Sequence, residues 1–403
     1  MDLKRGRTPS PIPQRLPRQI QKFIPIIVAC IFFVFLIPRG ALPESKPIQF
    51  ISQAEFPRKI WQLWKVNVLS LDARDQPRAK SWVDLNPGFR YEVLTDDNDQ
   101  HYVEVVYGPD GLNRPDIVSW YRTINAKIVK ADVLRYLVMY AEGGVYTDID
   151  VEALRPVSQW IPQQYDHKNI DMVIGIEIDQ PEFASHPILG KKSMSFCQWT
   201  FMAKPGHPVM LKLVENIMAW MSDVAKRQDV SIADVKLNFD DIIAGTGPSA
   251  FTEAFLEYMS SKLGYKVEWN TFHNIAESKL VAGVLVLTVE AFAAGQGHSD
   301  SGTHNTRRAL VKHHYHASGW PSSHPRFSHP MYGEVERCNW NRECVEKWDA
   351  DTSAFNQLSP AEQTIKLAVK MAVDEEQKQK EAALNNLNQA QGRPAEAPAA
   401  FPM

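Results

Sequence analysis

Cysteine is scarce in this chain, with four residues in 403. That is too few for a disulfide scaffold, and the spacings are not the short pairs that zinc sites use. Charge of one sign is lacking too. The formal net charge is only −3, which gives no argument for nucleic acid as a partner. No Asn-x-Ser/Thr sequon occurs, so N-glycosylation of the chain itself is not expected. No internal repeat is present, which removes solenoid architectures. Long apolar runs are nearly absent. One, Phe23–Ile37 (FIPIIVACIFFVFLI), is free of charge throughout.

What remains is 44% hydrophobic and 23% charged, the composition of a globular protein with a sizeable core. Lys4, Arg5, Arg7, Arg15, Arg18 and Lys22 precede the apolar run. Such charges keep an N-terminus in the cytosol and send the rest of the chain across the membrane. As a helix the run spans about 22 Å, short of the ~30 Å hydrocarbon core, so flanking residues such as Ile20 or Leu42 would have to contribute. A cleaved signal peptide is the competing reading. The long basic region and the lack of a clean small-x-small cleavage site favour a single-pass transmembrane signal anchor at 23–37 behind a basic cytosolic tail at 1–22. A proline-containing stem at 38–55 and a folded domain at 56–348 follow. Residues 349–403 read as a charged helix-forming run and then, from Leu384, as an Ala/Pro/Asn/Gln-rich disordered tail.

The chain is organised around Ala126–Leu154, AKIVKADVLRYLVMYAEGGVYTDIDVEAL. Ile128, Val129, Val133, Leu137 and Tyr140 recur at helical steps, and Gly143-Gly144 supplies the stop. Val145–Val151 reads as a strand carrying Asp148 and Asp150, two residues apart and so on one side. Carboxylates in an apolar strand need a partner, and hard divalent cations prefer carboxylate oxygen. A manganese or magnesium site that holds a sugar-nucleotide diphosphate is one reading; a solvated strand end or a salt bridge is the other. Asp132 and Arg135, three residues apart, share a face of the preceding helix and could equally form a surface ion pair.

Strands are expected at Ile60–Trp64, Tyr91–Leu94, Met172–Ile178 (ending in Glu177 and Asp179) and Phe196–Ala203. Ser81–Tyr91 reads as a turn, and Thr95–Asp99 as a cap for the next helix. Pro208–Lys226 is an amphipathic helix. Asp240–Leu256 reads as a loop entering a helix, with Ser249 or Thr252 as cap. Strands alternating with helices give an α/β class with a mostly parallel central sheet, whose ligands sit beyond the carboxyl ends of the strands. Cys197 reads as a small buried hydrophobe, while Cys338 and Cys344, in RCNWNREC, are close enough to pair.

Five ordered blocks carry a resemblance: FPRKIWQLWK (56–65), KADVLRYLVMYAEGGVYTDID (130–150), FCQWTFMAKPGHP (196–208), GTGPSAFTEAF (245–255) and HHYHASGW (313–320). Together they resemble the glycosyltransferase family that includes the fungal initiation-specific α-1,6-mannosyltransferases and, more distantly, the glucosylating bacterial toxins. The resemblance covers roughly residues 56 to 345. It implies a GT-A-like nucleotide-sugar-binding fold, a divalent metal (manganese first) on Asp148 and Asp150, and donor contacts from Asp132 and Arg135. It implies that Trp64 stacks on the nucleotide base; Trp61 reads as core. The segment 313–320 would close over the diphosphate through Ser318 and Trp320, although Ser-Gly-Trp stands here where relatives have Gly-Ser-Trp. His314 or His316 is the candidate third metal ligand. Asp240, Asp241 and Thr246 are the candidates on the acceptor side.

The resemblance further implies a single-pass type II Golgi membrane enzyme with a lumenal domain. It would transfer mannose from GDP-α-mannose in α-1,6 linkage to an N-glycan core, with Golgi complex partners. An inositol-phosphoceramide mannosyltransferase is an alternative, which the polar C-terminus opposes. A non-catalytic subunit of such a complex is a second alternative, opposed by the intact Asp132, Arg135, Asp148 and Asp150.

Overall fold

β1 (Lys59–Trp64) forms where apolar side chains and one buried amide meet the sheet on both faces: Ile60, Trp61 and Gln62 are all buried. It appears in the computed structural model, which describes residues 55–316 and 324–390. α1 (Gln76–Leu85) returns the chain to β2 (Arg90–Thr95), which pairs parallel to β1 from Lys59↔Arg90 to Trp64↔Thr95. Ser81–Leu85 therefore complete a helix rather than open a turn, because Ala79 and Trp82, three residues apart, bury one helix face. Pro87-Gly88 marks only the exit. The consequence reaches the site: Trp82 Nε1 donates to Val151 O (2.9 Å), and Ser81 Oγ accepts from the Ala153 N–H (2.9 Å).

α2 (Asp99–Tyr107) follows, with Asn98 in the capping position. Its side chain turns back to accept the Thr95 N–H (2.8 Å) instead of capping the helix. α3 (Pro115–Thr123) and α4 (Lys127–Ala141) complete the crossover to β3 (Gly144–Thr147). β4 (Val151–Ala153), β5 (Met172–Asp179), β6 (Met194–Phe196) and β7 (Thr200–Ala203) come next. The expected single strand at 196–203 is thus two strands, parted by Cys197–Trp199, and Cys197 is buried and unpaired in a disulfide.

α5 (Pro208–Gln228), α6 (Phe239–Gly245) and α7 (Pro248–Leu263) cover the sheet before β8 (Lys279–Val281), β9 (Val284–Leu287), α8 (Val289–Phe292) and β10 (Val311–His313). The central sheet has eight strands in the order β2-β1-β3-β7-β5-β9-β8, with β6 on β5. β1, β2, β3, β5 and β9 run one way; β6, β7 and β8 oppose them. This is a mixed α/β fold with a mostly parallel core. Parallel strands need helical crossovers, which bury both sheet faces and place the carboxyl ends of β1, β2, β3 and β5 toward one opening.

α9 (Arg342–Asn356) runs straight through the expected domain end at 348, burying Val345, Thr352 and Phe355. α10 (Pro360–Ala390) also passes Leu384, where disorder was expected. The first strong breakers, Gly392 and Pro394, come only later. Among the described residues no helix is long and apolar enough to cross a membrane. The basic tail, the anchor at 23–37 and nearly all of the stem lie outside the described residues.

One glycine is fixed by geometry. Gly144 has φ +98°, and a Cβ on it would meet Lys59 O at 2.6 Å across the β1–β3 pair. Gly144→Ala is expected to cost about 2–3 kcal/mol through strain and overpacking, read as a lower urea midpoint at unchanged slope.

His207 occupies the N-terminal capping position of α5 without capping it through its side chain; its ring lies against Tyr258 (ring centroids 4.9 Å apart), and both ring nitrogens are buried without a hydrogen bond among the described residues. Burial lowers its pKa to about 4. A folded pKa below the unfolded ~6.5 means that its contribution is complete above pH 6.5 and is lost as pH falls toward 4, worth up to about 3 kcal/mol. His207→Leu should therefore flatten the fall in Tm between pH 7 and 4.5. An unchanged pH slope would show that His207 does not titrate in this way.

Candidate active site

The two acids lie between strands, not in one. β3 stops at Thr147 and β4 resumes at Val151, so Asp148–Asp150 form a turn. The ladder to β7 ends at the same place, with Thr147 opposite Thr200. The turn is held by the backbone. The Asp148 N–H donates to Trp199 O (2.9 Å), the Val151 N–H donates to Asp148 O (3.2 Å), and Gln62 Nε2 donates to the same carbonyl (3.0 Å). Ile149 drops between the acids into an apolar cluster with Leu71 and Ala79, against which the partly buried Trp64 packs. Both carboxylates then line one cleft of about 1450 Å³ at the carboxyl ends of the strands, with Trp64 and Thr95 at its wall.

Behind Asp148 stands a buried charge cluster. Asp132 and Arg135 are 2% and 4% exposed, so they are not the surface pair that was one reading of them. Arg135 Nη2 meets Asp132 Oδ1 at 2.9 Å, and its Nη1 reaches Gln198 Oε1 (2.6 Å) and Asp148 Oδ1 (3.6 Å). Its guanidinium lies over the Tyr146 ring at 5.1 Å, and Tyr146 Oη donates to Asp148 Oδ1 (2.6 Å). Burial raises the Asp132 pKa to about 6 against the pull of Arg135 and Thr246. Burial likewise raises that of Asp148, opposed by Arg135 and reinforced by Asp150.

Asp150 is held from the opposite side. His313 Nε2 sits 3.3 Å from its Oδ1, and the His316 N–H donates to its Oδ2 (2.8 Å). Burial would raise this carboxyl, but His313 and that N–H more than offset it and hold the pKa at about 2. His313 in turn has a raised pKa, because Asp150 outweighs its burial.

The structure separates the candidate histidines. His314 points to Glu152 (3.0 Å), away from the acids, and His316 touches Asp150 only through its backbone. His313, which the sequence reading passed over, is the one beside Asp150. β10 pairs antiparallel with β4, His313 opposite Val151, and adjacent residues of a strand face opposite sides. That parity was visible in the sequence; the strand it would be paired with was not.

Other candidates lie elsewhere. Thr246 is fully buried and donates to Asp132 Oδ2 (2.6 Å), so it positions Asp132 rather than meeting a ligand. Asp240 and Asp241 belong to the first turn of α6, not to a loop. Asp241 closes a capping box with Asn238, and Asp240 pairs with Lys192 (2.8 Å); neither lines the cleft. Ser249 and Thr252 do not cap α7, whose capping residue is Gly247. Ser318 and Trp320 lie outside the described residues. Cys338 and Cys344 are joined in a disulfide. Trp61 is core, whereas Trp199, though buried, faces the cleft and donates to Glu177.

Among the described residues no group of three or more His, Cys, Asp or Glu side chains is arranged to hold a metal by itself. Two adjacent carboxylates do suit a hard cation that takes its remaining ligands from a substrate diphosphate and water. The site therefore fits a substrate-shared metal on Asp148 and Asp150 and not an all-protein cage.

A D-x-D turn at a strand end, backed by an Asp–Arg pair, is the arrangement of a sugar-nucleotide-dependent glycosyltransferase. Residues 72–166 match the model for the glycosyltransferase sugar-binding region containing the DXD motif. The chain is 32% identical over 270 residues to the initiation-specific alpha-1,6-mannosyltransferase of Schizosaccharomyces pombe, covering 66% of this chain and 64% of that protein. It is 31% identical over 295 residues to the protein of the same name from Candida albicans, covering 68% and 73%. A weaker likeness, 26% over 164 residues, links it to inositol phosphoceramide mannosyltransferase 3 of S. pombe, covering 41% and 38%. The matched region spans about two thirds of the two initiation-specific relatives. This chain belongs to the DXD-motif glycosyltransferase family that contains those fungal α-1,6-mannosyltransferases.

Proposed function

We propose that the protein is a mannosyltransferase of the Golgi membrane that moves mannose from GDP-α-mannose, in α-1,6 linkage, to an N-glycan core. The observation that supports this most is that Asp148, Asp150, Arg135 and Trp64 converge on one strand-end cleft in a chain 32% identical to an initiation-specific enzyme. Trp64 would carry the base on its ring face, with Lys65 5.4 Å from that ring. Asp148 and Asp150 would hold the divalent cation, manganese by preference. When bound, that ion supplies Lewis-acid neutralisation of the departing diphosphate. Arg135 adds a fixed positive charge behind Asp148, where the leaving group's charge develops. The anchor at 23–37 would place the folded domain in the lumen.

An α donor giving an α product requires retention. We favour front-face attack assisted by the departing phosphate; an intact-mass gain of one hexose on an Asp or Glu would overturn that course. The test of the function uses the full-length chain in detergent with GDP-mannose, manganese and a high-mannose N-glycan. One added α-1,6-linked hexose is expected. GDP-mannose hydrolysis without transfer would turn the search to an inositol-phosphoceramide acceptor. Neither activity, in a folded protein, would leave a non-catalytic subunit.

A further inference from the structure

The ladder at the middle of the sheet breaks at one residue. β5 pairs with β6 at Ile176↔Phe196 and again at Ile178↔Ser195, which leaves Glu177 as the extra residue of a bulge. A bulge re-aims a side chain, and here it turns a carboxylate into the cleft wall beside Trp199, His313 and Tyr315. Glu177 is only 9% exposed. Its Oε1 accepts from Trp199 Nε1 (2.8 Å), and that indole is fixed in turn by its contact with the His313 ring, centroids 4.3 Å apart. Its Oε2 is buried and makes no hydrogen bond among the described residues. The buried Ser195 hydroxyl beside it can donate to the carboxylate and favours its ionised form, which leaves that carboxylate room for a further donor.

A carboxylate has about four acceptor sites, and in a cleft wall the sites that Trp199 and Ser195 leave open are where a ligand brings a further donor. Glu177 lies within electrostatic reach of both Asp148 and His313. In the proposed function that is the end of the cleft holding the diphosphate, next to the donor's own hexose. We propose that Glu177 binds the donor hexose, its Oε2 accepting a hydrogen bond from a sugar hydroxyl. This rests on the reading of the cleft as a sugar-nucleotide site.

The test is calorimetric binding of GDP-mannose, UDP-glucose, GDP and UDP, with manganese, to the full-length chain and to Glu177→Gln. The amide oxygen still accepts from Trp199, so the change falls on the other carboxylate position alone. The variant should bind the sugar nucleotide at least tenfold more weakly, bind the bare nucleotide within twofold of wild type, and melt at the same or a higher temperature, because a buried charge has been removed. Equal binding of the sugar nucleotide by both proteins would overturn the proposal, as would parallel losses of sugar nucleotide and bare nucleotide with a lower Tm, the mark of a structural role. Unchanged donor binding with a raised acceptor KM would move Glu177 to the other substrate and equally overturn it. Wild-type binding of the uridine pair alone would replace the donor while leaving Glu177 to be judged on that pair. A wild type that binds none of the four overturns both readings. Trp199→Phe, which frees Glu177 Oε1 but keeps an aromatic ring, should show the same selective loss if Glu177→Gln does not fold.

Discussion

Asp150→Asn is expected to lower kcat/KM for transfer about a thousandfold while the protein stays folded. A cation that neutralises a leaving diphosphate supplies several kcal/mol of transition-state stabilisation, and each ~1.4 kcal/mol is a factor of ten. Asparagine keeps one oxygen to accept the His316 N–H but loses the charge that His313 pairs with. Asp148→Asn should lose a similar amount, and it leaves Arg135 its partner Asp132. The double variant should be little worse than either single one, because the two carboxylates act on one ion. Initial rates against manganese concentration check this. Either single variant retaining more than a tenth of wild-type activity at saturating metal would remove the acids from the metal-binding role.

Arg135→Met should be the most destabilising substitution at the site, by about 3–5 kcal/mol, with Tm lower by on the order of 10 °C. The guanidinium is the positive group between Asp132 and Asp148, and it is almost fully buried. Without it, two carboxylates face each other in low dielectric, so one or both must take up a proton. That gives the loss a pH signature: the variant should recover part of its deficit as pH falls from 8 to 5, measured by urea denaturation at each pH. Adding Asp132→Leu to Arg135→Met should restore much of the stability and none of the activity, since removing both members of a buried pair costs less than orphaning one. A single variant as stable as wild type would mean that water reaches the cluster.

Much of the frame was legible in the sequence because local chemistry specifies it. The stripe from Val129 to Met139 and the Gly143-Gly144 stop give α4 and its end at Ala141. The strand patterns at 60–64 and 172–178 give β1 and β5, each to within one residue. The same rules misplaced Ser81–Leu85, because Pro87-Gly88 reads as punctuation while the burial of Trp82 beneath Val151 can be read only from the fold. Asp240 and Asp241 looked available for a ligand until the helix start at Phe239 took Asp241 into its cap.

The sequence by itself determined the class of this protein. The D-x-D motif, the helix in front of it and the order of the five blocks are local strings, and they mark the family without reference to any contact. Only the tertiary structure decided which side chains serve the acids. His313 is set beside Asp150 by a strand pairing across some 160 residues, and Glu177 is turned into the cleft by a bulge against β6. Parity along a strand fixes which residues share a face; only the register with a distant partner fixes which face meets the site.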